Sequence, residues 1–296
     1  AWLLTHYLFF TEGRQPQLRR YLAGIAAGEP PERAAAAFGD LEQLAKEMRS
    51  YRRGKKFYDR VTYPAERAEP PILRRLTRGE AAFVKGRIEL GSRIDLAGID
   101  AGNAGKNTDK DVAARARQRE RWLAGLRGDA ARFAGDVDAQ LLLAEAECRS
   151  GNPAECLAAA DRALALDPNN DAALAWKGTA MAAQAVAAPA AERPVLMRAA
   201  RAVIVRANRQ NRDAVLPLIA YYQSFVTSGE RPTDAAVDGL GRAVDRVPNA
   251  PSTRLQLGAA LVERGDRRTA ARVLRPVADG AYSSPEQAAA QALLAE

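Results

Sequence analysis

Residues 137–170 read VDAQLLLAEAECRSGNPAECLAAADRALALDPNN, and their spacing decides the fold. Two helical segments are written there, separated by Ser150-Gly151-Asn152 and closed by Asp167-Pro168. Apolar and small residues recur every three or four positions in each, the period of a helix with one buried face. Leu143 and Ala144 on the first segment, with Cys156, Ala160 and Ala163 on the second, are small where two helices must approach closely. Gly151 takes the tight turn, and Pro168 stops the second helix because its ring cannot continue the hydrogen-bond ladder.

The unit is 34 residues long and resembles the tetratricopeptide (TPR) repeat in both period and small-residue positions. Three more drifted units follow it. The second opens at Asp171 with DAALAWKGTAMAAQA, carries Gly178 at the close-contact position, and resumes after an Ala/Pro-rich insertion with RPVLMRAARAVIVRANRQN. The third starts near Arg212 with RDAVLPLIAYYQSFV and continues with TDAAVDGLGRAVDRVPN. The fourth, PSTRLQLGAALVERGDRRTAARVLRPVADG, recovers the pattern through Leu257-Gly258, Gly265, Ala270 and Leu274. Ser284 then caps a terminal helix with Pro285 in its first turn, the cover that the last apolar face of a solenoid requires. The resemblance implies an all-α solenoid of helical hairpins.

Residues 1–136 are less regular but still mostly helical. After AWLLTHYLFF come a helix over 17–27, a short Pro-initiated helix PERAAAAFG, and a helix capped by Asp40 with Gln43 at the capping-box position. KKFYDRVTYPAERAEPPILRRL breaks the helical period and reads as extended chain. Thr77 and Glu80 form a second capping box, opening a helix to about Leu90, and a long helix follows over 109–133. The organisation read from the chain is therefore a helical subdomain over 1–54, an extended joint over 55–76, a degenerate helical pair over 77–136, and a repeat array with a capping helix over 137–296.

Net charge is +8, but the excess lies in the first half, since residues 137–296 carry 18 cations and 18 anions. Only Arg49, Arg52, Arg53, Lys55 and Lys56 are densely clustered, flanked by Tyr51, Phe57 and Tyr58. Nucleic-acid surfaces need many cations on one face, whereas a basic run ending a helix suits the macrodipole, so nucleic acid is the disfavoured partner. No stretch reaches the roughly 20 apolar residues of a membrane span. His6 is the single histidine, which removes HExxH, His-based triads and multi-His metal sites. AGNAGKNTD fails as a phosphate loop: Asp100 replaces the first Gly, and Asn107 follows Lys106 where Ser or Thr is required. No catalytic, metal or cofactor-binding residue is expected in this chain.

Cys148 and Cys156 flank the Gly151 turn, where antiparallel helices bring such positions within disulfide range. They read either as inert packing thiols or as a bridge. A bridge would favour an oxidising compartment, periplasmic or secreted, over the cytoplasm.

The groove of a TPR array is lined by the first helix of each hairpin. The expected set is Asp138, Leu141, Glu145 and Arg149; then Ala172, Ala175 and Thr179; then Asp213, Leu216, Ala220 and Gln223; then Leu255, Ala259 and Glu263. It lacks the Lys/Asn/Arg clamp with which some TPR proteins hold a chaperone's carboxylate terminus. Its small, apolar lining with acidic edges suits a protein or peptide partner presented as a helix or extended apolar segment.

The opening region carries a second resemblance. Trp2, Leu4, His6, Tyr7, Leu8, Tyr21, Leu22, Gly28, Ala37 and Phe38 are similar to the helical tail of a bacterial family with a gluzincin-type metallopeptidase core and C-terminal TPRs. That resemblance implies a zinc HExxH core upstream, absent from this chain, with His6 outside the ligand set. AWLLTHYLFF then reads as an internal core helix, and the chain as the C-terminal part of a longer bacterial protein. The expected roles are a TPR scaffold for a protein partner or, alternatively, the substrate-recruiting region of a zinc peptidase.

Overall fold

A computed structural model describes residues 2–56, 58, 60, 62, 73–92, 109–280 and 283–295. Most of the extended joint, together with the Asp100–Asn107 loop, lies outside the described residues. Among those described, all regular structure is helical. The chain forms two compact units, Ala1–Leu73 with Arg254–Glu296, and Arg74–Thr253.

The first unit opens with α1 (Trp2–Phe10), α2 (Gln15–Ala26), α3 (Pro31–Ala34) running into a 3-10 turn (Ala35–Phe38), and α4 (Leu41–Arg53). Tyr7 and Leu8 of α1, Phe38 and Leu44 are buried together, with Leu18, Tyr21, Met48 and Tyr51 packed around them. The hydroxyl of Tyr7 donates to Glu47 Oε2 at 2.7 Å, and Arg14 ion-pairs with the same carboxylate. His6 is half-buried, its Nδ1 2.7 Å from the Tyr51 hydroxyl. Asp40 caps α4 by accepting from the backbone N–H groups of Glu42 and Gln43 at 2.8 and 3.1 Å. The reciprocal half of the expected capping box is replaced, because the Gln43 amide reaches forward to Glu47 Oε1 at 3.1 Å. At the other end of α4, Lys56 donates to the Gly54 carbonyl at 2.6 Å and to that of Tyr51, so this cation serves the helix terminus.

The second unit contains α5 (Arg78–Ser92), α6 (Asp109–Arg132), α7 (Val137–Arg149), α8 (Pro153–Leu166), α9 (Asp171–Ala187), α10 (Arg193–Gln210), α11 (Val215–Ser228) and α12 (Asp234–Arg246). Helices α5, α7 and α9 each pack on the helix that follows and on the next odd-numbered helix, α5 on α7, α7 on α9 and α9 on α11, while α11 packs on α12. This pairing is a TPR-like solenoid of helical hairpins. Close approach depends on small side chains. Ala139, Ala144, Ala146, Ala159, Ala160 and Ala163 are completely buried, and a Cβ on Gly178 would stand 2.4 Å from Ile204 Cγ1. Asp136, Asn170 and Thr233 cap their helices through the backbone N–H three residues on. Thr77 and Glu80 form the complete capping box of α5, with bonds of 3.0 and 2.6 Å.

The remaining helices are α13 (Pro251–Glu263), α14 (Arg267–Ala278) and α15 (Pro285–Ala295). Within the first unit, α15 lays Ala290, Leu293 and Leu294 on a core of Ala270, Leu274, Val277 and Ala278. Ser284 caps it through Gln287 N at 3.1 Å. Gly28, at φ +84°, rests against α14, where a Cβ would meet Arg272 Cα at 3.1 Å. Only a glycine satisfies both the left-handed backbone and that approach.

Gly241 is the opposite case. It lies inside α12 with nothing within 4 Å of where a Cβ would stand. Gly241→Ala is expected to stabilise the protein by about 0.5–1 kcal/mol through helix propensity alone, read as a rise in the urea midpoint.

Candidate peptide-binding face

The turns of α7 leave Asp138, Leu141 and Glu145 half-buried and Arg149 exposed, while Gln140, Leu143, Ala144 and Glu147 are turned into the core. Arg149 pairs with Glu145 at 3.2 Å. On α9, Ala172 and Thr179 are half-buried, and the Thr179 hydroxyl donates to the Ala175 carbonyl at 2.9 Å. Ala175 itself is completely buried with Leu174 and Ala207, and Leu216 packs against that cluster. It is a contact between helices, not a lining residue.

The third hairpin shifts the expected register. Asn211 Oδ1 accepts from Asp213 N at 3.1 Å, a local turn that delays the helix to Val215. Asp213 therefore precedes α11 and pairs with Arg246 at the end of α12. Ala220 is buried. Leu216 and Gln223 stay half-buried, joined by two residues the sequence reading missed, Ile219 and the exposed Val226. Counting from the true helix start, 216, 219, 223 and 226 follow the i, i+3, i+7 spacing of one face. In the first unit, Ala259 is half-buried, Glu263 exposed, and Leu255 packs toward the α14–α15 core. The second unit thus offers Asp138, Leu141, Glu145 and Arg149 from α7, Ala172 and Thr179 from α9, and Leu216, Ile219, Gln223 and Val226 from α11.

The electrostatics at the α5–α7 end are uneven. Arg74 grips Glu80 with two hydrogen bonds of 2.6 and 2.7 Å, and with Thr77 it lowers the Glu80 carboxyl to about 2. Asp138 moves the other way, raised by burial and by the neighbouring charges of Glu80 and Asp136. A lowered folded-state pKa adds stability above the ordinary carboxylate range, and this is lost as pH falls through it towards about 2. A raised one subtracts stability above the folded pKa. Glu80→Gln is therefore expected to weaken the fold at neutral pH and flatten its acid limb. Asp138→Asn is expected to stabilise it at neutral pH and to lose that advantage below the carboxylate range. Urea midpoints from pH 2 to 7 check both signs.

Cys148 at the end of α7 and Cys156 on α8 form a disulfide with Cα atoms 5.0 Å apart. Both sulfurs lie 3.7–3.8 Å from the Trp176 carbonyl on α9, so the bridge sits where α7, α8 and α9 meet. Its closed loop is short, with a separation of 8 residues. By chain-entropy reasoning, reduction should lower stability by about 2.5 kcal/mol. Urea unfolding with and without dithiothreitol, against Cys148→Ala/Cys156→Ala, measures it.

Behind the face, Gln140, Glu147 and Ala160 occupy positions where the repeat pattern has large aromatics. Gln140 and Glu147 line a cavity of about 490 Å³ between α6, α7 and α8, walled by Ala130, Ala131, Ala134 and Ala158. Four of its polar side chains, Arg127, Gln140, Glu147 and Arg162, are already engaged. Glu147 accepts from Arg127 Nε and Nη2 at 2.5 and 2.9 Å and from Asn152 Nδ2 at 2.7 Å. Gln140 donates to the Ala130 carbonyl at 3.0 Å and accepts from Arg162 Nε at 2.7 Å. Among the described residues, no group of three His, Cys, Asp or Glu side chains could hold a metal ion, and no helix is long and apolar enough to cross a membrane.

Residues 137–182 match the family model of the tetratricopeptide repeat. No curated protein matches the chain in sequence. Among solved structures, TTC0263, a thermophilic TPR protein in Thermus thermophilus, is 17% identical, with 62% of this chain and 92% of that one covered and a TM-score of 0.49. MamA is 14% identical, with 63% of this chain and 95% of that one covered and a TM-score of 0.36.

Proposed function

We propose that the chain is a TPR-type scaffold that binds a protein partner along α7, α9 and α11. The observation that carries this reading is the set of open side chains on those three helices, half-buried and apolar at Leu141, Leu216 and Ile219, exposed and apolar at Val226, and half-buried and acidic at Asp138 and Glu145. A short apolar helix or strand would remove the apolar positions from water. A Lys or Arg beside it would relieve Asp138, whose charge is disfavoured by burial and by Glu80. The test is a photo-crosslinking residue at Gln223, on the face, compared with one at exposed Arg198 on α10, in cells of the source organism. A discrete adduct from 223 that is missing from 198 supports the face. Identical adducts from both positions would sink it.

The alternative, a recruiting region for a zinc peptidase core, draws support from α1, where Trp2 and Phe9 remain 67% and 49% exposed on an otherwise apolar helix. Such side chains suit a further packing partner. Reading the coding frame upstream of Ala1 tests it: an HExxH segment supports the idea, and a frame without one removes it.

A further inference from the structure

A second cavity, of about 440 Å³, opens in the second unit between α10, α11 and α12. Its chemistry differs from that of the cavity beside α7. There, Arg127 is held by Glu147 and Arg162 by Gln140. Here, Arg209, Arg212 and Arg242 line one space with Leu218 and Tyr221, and no acidic residue lines it. Among the described residues, none offers these three guanidinium groups a carboxylate within ion-pair distance, although Arg246 and Arg201 nearby are paired with Asp213 and Glu230. Asn208 also lines the cavity, and its side-chain nitrogen is buried without a hydrogen-bond partner.

Each of these features asks for the same complement. Three like charges around one concavity raise its potential and draw anions to it. Guanidinium forks match the oxygen geometry of phosphate and carboxylate groups. A buried N–H donor without an acceptor is a penalty that a ligand oxygen removes. The Leu218 and Tyr221 side chains give the remainder of a ligand an apolar surface, and the volume suits a small molecule. Gly239 also lines the wall, where a Cβ would make ordinary contacts 3.6 Å from Leu218 and 4.0 Å from Arg242 Nη2.

We propose that this cavity binds a small organic dianion with an apolar body, of which an aryl phosphate monoester is the simplest form. The anionic head sits among Arg209, Arg212, Arg242 and the Asn208 amide, and the body lies on Tyr221 and Leu218. The site is independent of the partner-binding face and stands or falls separately from it.

The test uses the full chain with three probes, followed by calorimetric titration and thermal melting: phenyl phosphate, inorganic phosphate and phenol. Phenyl phosphate is expected to bind saturably and raise the melting temperature. Inorganic phosphate should bind at least about tenfold more weakly, and phenol should leave the melt unchanged. Arg209→Gln/Arg242→Gln should weaken phenyl phosphate at least about tenfold while keeping its circular dichroism spectrum, since both side chains are exposed. Absence of saturation by about 10 mM phenyl phosphate, or binding that survives the double substitution, overturns the site. Equal affinity for phenyl phosphate and inorganic phosphate overturns the apolar half of the proposal.

Discussion

Replacing Arg127 by methionine is expected to destabilise the protein by about 3 kcal/mol at neutral pH, far more than the loss of a surface ion pair. The asymmetry of the pair is the reason. Arg127 keeps about a third of its side chain in water, whereas Glu147 is 1% exposed. Without the guanidinium, Glu147 loses two hydrogen bonds and retains only the Asn152 amide at 2.7 Å, beside the alanine-walled cavity. Removing both charges has a different outcome. Arg127→Met/Glu147→Leu should return to within about 1 kcal/mol of the parent, because an apolar pair of similar volume carries no desolvation penalty. Urea unfolding of the two single variants and the double variant closes the cycle. A single-variant loss below about 0.5 kcal/mol, or a double-variant loss equal to the sum of the singles, would show that the pair behaves as a surface contact.

Gly258→Val is expected to cost about 2–3 kcal/mol, the upper range for overpacking a core. A Cβ at this position would fall 2.2 Å from Leu274 Cδ2 and 2.4 Å from its Cγ. Leu274 is completely buried, so it has no open space into which to turn. Gly178→Val meets Ile204 in the same way in the second hairpin, with the Ala200 carbonyl oxygen 3.1 Å from the same Cβ position. The two glycines lie in different units. Hydrogen exchange should therefore report lost protection in α13–α15 for one variant and in α9–α10 for the other. Equal loss throughout the chain would mean that the units unfold as one.

The hairpins were legible because their rules are local. Gly151, Pro168 and the small residues Ala144, Ala160 and Ala163 each fix one turn, one stop or one contact, and the all-α repeat architecture follows from them. The third hairpin was misplaced because α11 has no side-chain cap to mark its start: Ala214 stands at the N-cap, and the turn is made by Asn211 instead. Extending the period from Arg212 then put Asp213 and Ala220 on the open face. Ala175 was misassigned for a different reason. The spacing places it beside the groove, but it is completely buried in a cluster with Ala207 of α10. Gln140 and Glu147 were equally visible in sequence, yet their burial depends on partners many residues away. The arginine cavity had no signature, since Arg242 on α12 lies far in sequence from Arg209 and Arg212, at and just beyond the end of α10.

The seat of Gly28 on α14 has a consequence for synthesis. The first unit is assembled from residues before Leu73 and after Arg254, while the second is continuous from Arg74 to Thr253. During translation α1–α4 emerge ahead of the second unit but lack their α14 neighbour until that whole unit has been made, a delay of roughly 10–40 s at typical elongation rates. The hairpin stack can mature in that interval, and α1–α4 gain their α14 contact only afterwards. Ribosomes stalled before α14 should therefore carry a protease-resistant second unit and protease-sensitive α1–α4 helices.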